Sequence, residues 1–138
     1  MSASAPSLAL GYVIFYVQDV AASLAFYEKA FGLARRFFHD DHGKAYGEMD
    51  TGATRLAFVS LALARDSLNP PPVAASPAAA PQAVEIAFVT PEVKAAFDHA
   101  LAAGALAVLA PVAKPWGQIV AYVRDPDGHL VELCSPLS

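Results

Sequence analysis

Apolar positions recur along this chain with two different periods, and the two periods alternate in the same order twice. Leu10–Val17 (Leu-Gly-Tyr-Val-Ile-Phe-Tyr-Val) is β-branched and aromatic, the composition of a buried strand. From Val20 the interval becomes helical: Val20, Leu24, Tyr27 and Phe31 fall on one face, Asp19 stands where a cap is needed, and Gly32 follows as a stop. Ala83–Val89 repeats the strand pattern; Val93, Phe97, Ala100 and Leu101 repeat the helical one, and Gly104 stops it. Three extended segments follow each helix: Ala34–Phe38, Lys44–Met49 and Arg55–Leu61 in the first half, Leu106–Ala110, Gln118–Arg124 and Leu130–Cys134 in the second. Each half therefore reads βαβββ.

Sliding one half along the other lays Tyr12 on Glu85, Val13 on Ile86, Phe15 on Phe88, Val20 on Val93 and Leu24 on Phe97, which marks an internal duplication. Pro70, Pro71, Pro72, Pro77 and Pro81 break the pattern between the halves, because proline lacks an amide donor and fixes φ. The reading is one domain over 1–138, with modules at 8–62 and 82–136 joined by an exposed, partly polyproline linker at 69–81. Asp50-Thr51-Gly52 and Asp125-Pro126-Asp127-Gly128 carry hairpin chemistry, so strands are expected to pair across both. The fold class is α+β: two four-stranded curved sheets, each covered on one face by a helix, placing their other faces around a shared cleft.

Composition narrows the function without naming it. Hydrophobic residues make up 56% of the 138 and charged ones 16%, enough to bury a core without staples. Nine basic against 13 acidic residues give a net charge of −4, with no basic run, so nucleic acid is not an expected partner. The single Cys134 cannot make an internal disulfide, and no apolar stretch reaches the ~20 residues of a membrane span. A cytoplasmic protein without membrane contact is expected.

The motifs Val17-Gln18-Asp19-Val20, Ser23-Leu24-Ala25-Phe26-Tyr27, Phe31-Gly32, Asp50-Thr51-Gly52 before Leu56-Ala57-Phe58, and Pro115-Trp116-Gly117-Gln118 leading to Asp125-Pro126-Asp127-Gly128-His129-Leu130-Val131-Glu132 span nearly the whole chain. On them the sequence resembles the vicinal oxygen chelate superfamily, which groups glyoxalase I, extradiol dioxygenases, fosfomycin resistance enzymes and bleomycin resistance proteins. The resemblance implies the paired βαβββ fold, but that fold carries isomerisation, oxygenation, thiol addition and drug sequestration. It also implies four strand positions that aim metal ligands into the cleft, here Tyr12, Ala57, Glu85 and Glu132. Alanine cannot ligate, and a phenol binds a divalent ion well only after losing its proton. Two imidazoles for an iron dioxygenase site are missing. No cofactor is expected; if a divalent cation (Mg, Mn, Zn or Ni) does bind, Glu85 and Glu132 are its ligands.

Glu132 and Glu85 each sit in an apolar run, which suggests carboxylates withdrawn from bulk water; an edge or pleat position reaching solvent is the alternative. Facing one another without metal, they would repel, raising one pKa, and the pair would serve as a base or grip a cationic ligand. Arg55 shares strand parity with Ala57 and offers the positive charge an absent metal would have supplied, or is simply solvated at a strand start. For Trp116, stacking on a planar ligand and structural anchoring are equally compatible with the sequence. Tyr12 and Tyr122 complete the ligand-binding set. The histidines are not expected to ligate: His39 and His42 flank a polar turn, His99 lies on the polar face of the second helix, and His129 has the opposite parity to Glu132. Cys134 reads as a buried structural thiol.

The expected function is binding of a small organic molecule without the usual metal, as in sequestering resistance proteins; the resemblance further implies a homodimer. The alternative, should the protein be an enzyme, is a metal-dependent lyase or isomerase resembling glyoxalase I, with Glu132 or Glu85 moving the proton.

Overall fold

The computed structural model describes residues 4–137 and contains two βαβββ units in tandem. The first comprises β1 (Tyr12–Val17), α1 (Val20–Phe31), β2 (Ala34–Asp41), β3 (Lys44–Asp50) and β4 (Arg55–Ser60). A short helix α2 (Leu61–Ser67) follows, and then the second unit: β5 (Glu85–Val89), α3 (Val93–Ala102), β6 (Leu106–Ala113), β7 (Ile119–Arg124) and β8 (Leu130–Cys134). The sheets have matching orders, β1-β4-β3-β2 and β5-β8-β7-β6. In each, the first strand lies parallel to the last and the other pairs are antiparallel, so the duplication read from sequence is a duplication of topology. Among the described residues no helix is long and apolar enough to cross a membrane.

Strand parity decides which face is covered. Val13, Phe15 and Val17 of β1 and Leu56 and Phe58 of β4 face α1, with Leu24, Tyr27 and Met49 fully enclosed between sheet and helix. Val93, Phe97 and Ala100 of α3 pack likewise on Ala121, Val123, Val131 and Leu133. Truncating a side chain such as Leu24 to alanine in so tight a layer costs about 2–5 kcal/mol. Asp19 caps α1 by accepting from the Ala22 amide at 3.0 Å, and Gly32 ends it in the left-handed region at φ 66°, as its sequence position predicts.

The strand expected over Arg55–Leu61 ends at Ser60, and the helix α2, which the apolar pattern does not announce, begins at Leu61. Ser60 makes the transition: its Oγ accepts from the Leu63 amide at 3.2 Å as a cap and from the Ala45 amide of β3 at 2.9 Å. After it, residues 68–84 have no helix or strand, in keeping with their prolines. This linker is pinned at its middle by Arg124, which donates to the carbonyls of Ser76 at 2.9 Å and Pro77 at 3.4 Å. Gly128 lies beneath it at φ 101°, and a Cβ there would come within 2.6 Å of the Ser76 backbone.

The two units meet along their helices and first strands. Phe31 packs against Phe88 in a tilted pair with centroids 5.0 Å apart, and Phe26 and Ile86 contribute to both apolar layers. With the helices turned inward, the uncovered sheet faces do not close on one another within the chain. The two four-stranded sheets form as expected, but the shared cleft is not enclosed, and apolar side chains such as Ile14, Val89, Leu109 and Val112 stand exposed.

Candidate functional site

Two clusters of polar side chains occupy the open faces, one per unit. On the second, Glu85 of β5 and Glu132 of β8 have their carboxyls within hydrogen-bonding reach. Partial burial and the neighbouring Glu132 charge raise the Glu85 pKa from the ordinary carboxylate range. Tyr122 pairs directly across from Glu132 in the β7–β8 ladder, and its hydroxyl pKa is raised by desolvation and by that carboxylate. Cys134 lies on the same strand, buried, its thiol pKa pushed up by desolvation and by Glu132, so it is no nucleophile at neutral pH. Glu85, however, is exposed. The expectation that apolar flanks withdraw it from water fails because nothing covers this face in the single chain.

On the first face Tyr12 and Arg55 are paired opposite one another in the β1–β4 ladder. Glu48 of β3 receives the Tyr46 hydroxyl at 2.7 Å and lies 3.5 Å from Arg36 Nε and 3.9 Å from Arg55 Nε. Glu48 Oε1 and Arg55 Nε are shut off from solvent and neither has a hydrogen-bond partner. Burial and the Glu48 bond raise the Tyr46 hydroxyl pKa far above its usual value. Ala57, the remaining position of the expected ligand set, is fully buried and presents only a methyl group. Trp116 is 63% exposed on the β6–β7 turn, its indole donating to Gln118 Oε1 at 3.0 Å.

The structure therefore joins Glu85, Glu132 and Tyr122 on one open face and Tyr12 and Arg55 on the other. As a metal set, Tyr12, Ala57, Glu85 and Glu132 do not fit: two carboxylates stand on one face, a phenol and a methyl on the other, with no imidazole or thiolate for Zn²⁺ or Ni²⁺.

A third cluster escaped the sequence reading altogether. Asp125, buried at the end of β7, accepts the Tyr27 hydroxyl of α1 at 2.7 Å and the His129 Nδ1–H at 2.8 Å on one oxygen, and the amides of Asp127 and His129 on the other. Ser23 donates to Asp127 at 3.3 Å, and His129 stacks on Phe15 of the first unit, ring planes 4° apart. Burial acts to raise the Asp125 pKa, but the bonds from His129 and Tyr27 outweigh it and hold the carboxyl below the usual aspartate range. Burial and the Asp125 charge drive the Tyr27 hydroxyl well above its own. Ligand atoms of Asp125, Asp127 and His129 lie within 4.8 Å of one another, the spacing of a cation site. Asp125, however, already accepts four hydrogen bonds, so the arrangement serves as a clasp between units. One sequence signal pointed to it: a helix-face tyrosine with an enclosed hydroxyl requires an acceptor, and the Asp-Pro-Asp-Gly turn supplies one. His129 faces away from the open faces, as its parity predicts, while His99 binds the Lys29 carbonyl at the end of α1.

The family model of the Glyoxalase/Bleomycin resistance protein/Dioxygenase superfamily matches residues 9–133. No curated protein matches the chain. Among solved structures, the chain is similar to a glyoxalase-related enzyme from Fulvimarina pelagi: 25% identity over 93% of this chain and 88% of the other, with a TM-score of 0.74. It is also similar to TioX from Micromonospora sp. ML1 (23% identity, 92% and 98% covered, TM-score 0.68). A lactoylglutathione lyase from Agrobacterium tumefaciens compares equally well (22% identity, 95% and 96% covered, TM-score 0.68).

Proposed function

Because this chain belongs to the glyoxalase/bleomycin resistance protein/dioxygenase superfamily, we propose that its open sheet faces bind a small organic molecule without the divalent metal the superfamily often uses, and that a second copy covers those faces. The observation that carries this reading is the donor set: Ala57 offers a methyl where a ligand is needed, while Glu85 and Glu132 crowd together with Tyr122. Such a carboxylate pair favours a positively charged group, which relieves the repulsion between them. Planar ligands suit the exposed Tyr12 and Trp116.

Charge supports the pairing of copies. Arg36 and Arg55 lie on the first face, Glu85 and Glu132 on the second, so the first face of one copy complements the second face of another. Burying Ile14, Val89, Leu109 and Val112 would supply the apolar contribution. Metal-dependent lyase or isomerase chemistry is a second reading, favoured only by the raised proton affinity of Glu85.

The test is elemental analysis of protein purified without chelator, combined with thermal melts against Mg²⁺, Mn²⁺, Zn²⁺, Ni²⁺ and the planar aromatic cation proflavine. Stabilisation by proflavine, lost in Glu132→Gln, with no stoichiometric metal, is the expected result. One tightly held ion per chain would overturn the reading in favour of the second.

A further inference from the structure

A cleft of about 320 Å³ runs along the seam between the two units of a single chain, and both a cation and an anion line it: Arg55 at the start of β4 and Glu85 at the start of β5. Val13, Leu56, Ile86 and Phe88 give it apolar walls. Arg55 is three-quarters buried, and its Nε is shut off from solvent without a hydrogen-bond acceptor; the carboxylate oxygen of Glu48 is 3.9 Å from it. A buried guanidinium N–H ordinarily has an acceptor, since burying it unpaired is costly. The charge nearest Glu85 is another carboxyl, Glu132, which adds repulsion in place of a counter-charge. Although they line one cleft, Arg55 and Glu85 form no ion pair with each other. Arg55 has its one counter-charge, Glu48, beyond hydrogen-bond distance, Glu85 has no ion-pair partner among the described residues, and apolar side chains line the cleft between them.

We propose that this seam cleft is a binding site for a small zwitterion of the α-amino-acid type, its carboxylate received by Arg55, its ammonium by Glu85, and its side chain by the apolar walls. The fork of the guanidinium matches a carboxylate, and an ammonium beside Glu85 relieves the repulsion from Glu132. The site lies within one chain, where Arg55 and Glu85, the first residues of β4 and β5, bring the edges of the two faces to the seam. It stands whether or not a second copy covers the open faces.

The experiment compares three probes of similar body: L-phenylalanine, 3-phenylpropionate, which lacks the ammonium, and 2-phenylethylamine, which lacks the carboxylate. Titrations are followed by amide chemical shifts of the isotopically labelled full chain, with size-exclusion chromatography reporting oligomeric state separately. L-Phenylalanine should bind in the range of about 1 mM or tighter and at least about tenfold better than either analogue. Its shifts should centre on residues 51–56 and 85–88. Arg55→Met should erase the advantage over 2-phenylethylamine, and Glu85→Gln the advantage over 3-phenylpropionate, in variants whose spectra remain folded. Equal binding of the three probes, binding of none, or shifts confined to residues that do not line the cleft would overturn the proposal, the wild-type data sufficing if a variant fails to fold. A monomer on the column with a full response to L-phenylalanine would remove the two-copy reading and leave this one standing.

Discussion

The seam between the two units and the sheet faces on either side of it use polar groups in opposite ways. At the seam, Tyr27, Asp125 and His129 are enclosed and each finds its partners at 2.7–2.9 Å. On the faces, Glu85 and Glu132 have each other, and Glu48 Oε1 and Arg55 Nε have no hydrogen-bond partner. A satisfied buried network holds a fold together, whereas a half-satisfied one at a surface retains free energy for something that binds there. The motifs by which the chain resembles its relatives lie mostly at the seam; the positions that would decide chemistry lie on the faces.

That contrast breaks most visibly at Asp125. Asp125→Ala leaves the Tyr27 hydroxyl, the His129 imidazole and two amides unpaired in the interior, and urea denaturation should show a loss of about 3–5 kcal/mol. The wild-type protein should show the same dependence in pH. Because the folded pKa of Asp125 is depressed, its stabilisation is full above the ordinary aspartate pKa of about 3.9 and is lost as pH falls through the lower folded value. Tyr27→Phe removes one of the four bonds to that carboxylate and keeps the ring in the apolar layer, so about 1–3 kcal/mol is expected by the same measurement.

Substitutions on the faces should reverse the sign. Glu85 has a raised pKa in the folded chain, so ionising it opposes folding: stability falls as pH rises from the ordinary glutamate value through the folded one. Glu85→Gln should therefore raise the melting temperature at pH 7, with the gain vanishing below about pH 4, where wild-type glutamate is protonated as well. The smallest effect is expected at Trp116. Its side chain is mostly exposed, so Trp116→Ala should shift stability by no more than about 0.5 kcal/mol while lowering the response to proflavine, as thermal melts with and without the ligand would show.

Local patterns carried much of the architecture into the sequence. Asp19 and Gly32 bracket a helix whose apolar positions are four, three and four residues apart, and hydrogen bonds within a few residues enforce those ends. The short helix after Ser60 was missed because its cap also serves a strand partner fifteen residues away, a dual role that no local pattern displays. The apolar neighbours of Glu85 in sequence were a poor guide to its exposure, since withdrawal from water depends on what covers a face.

The strands, the two long helices and the duplication were legible along the chain, because each depends on periodicity and caps within one unit. That Tyr27 reaches Asp125, ninety-eight residues along the chain, that the two open faces do not close on one another, and that Arg55 and Glu85 line one cleft were settled by the packing of the units. These outcomes depend on how two preformed units dock, which is governed by the shape and charge of whole surfaces, and a one-dimensional pattern does not record which surfaces will touch.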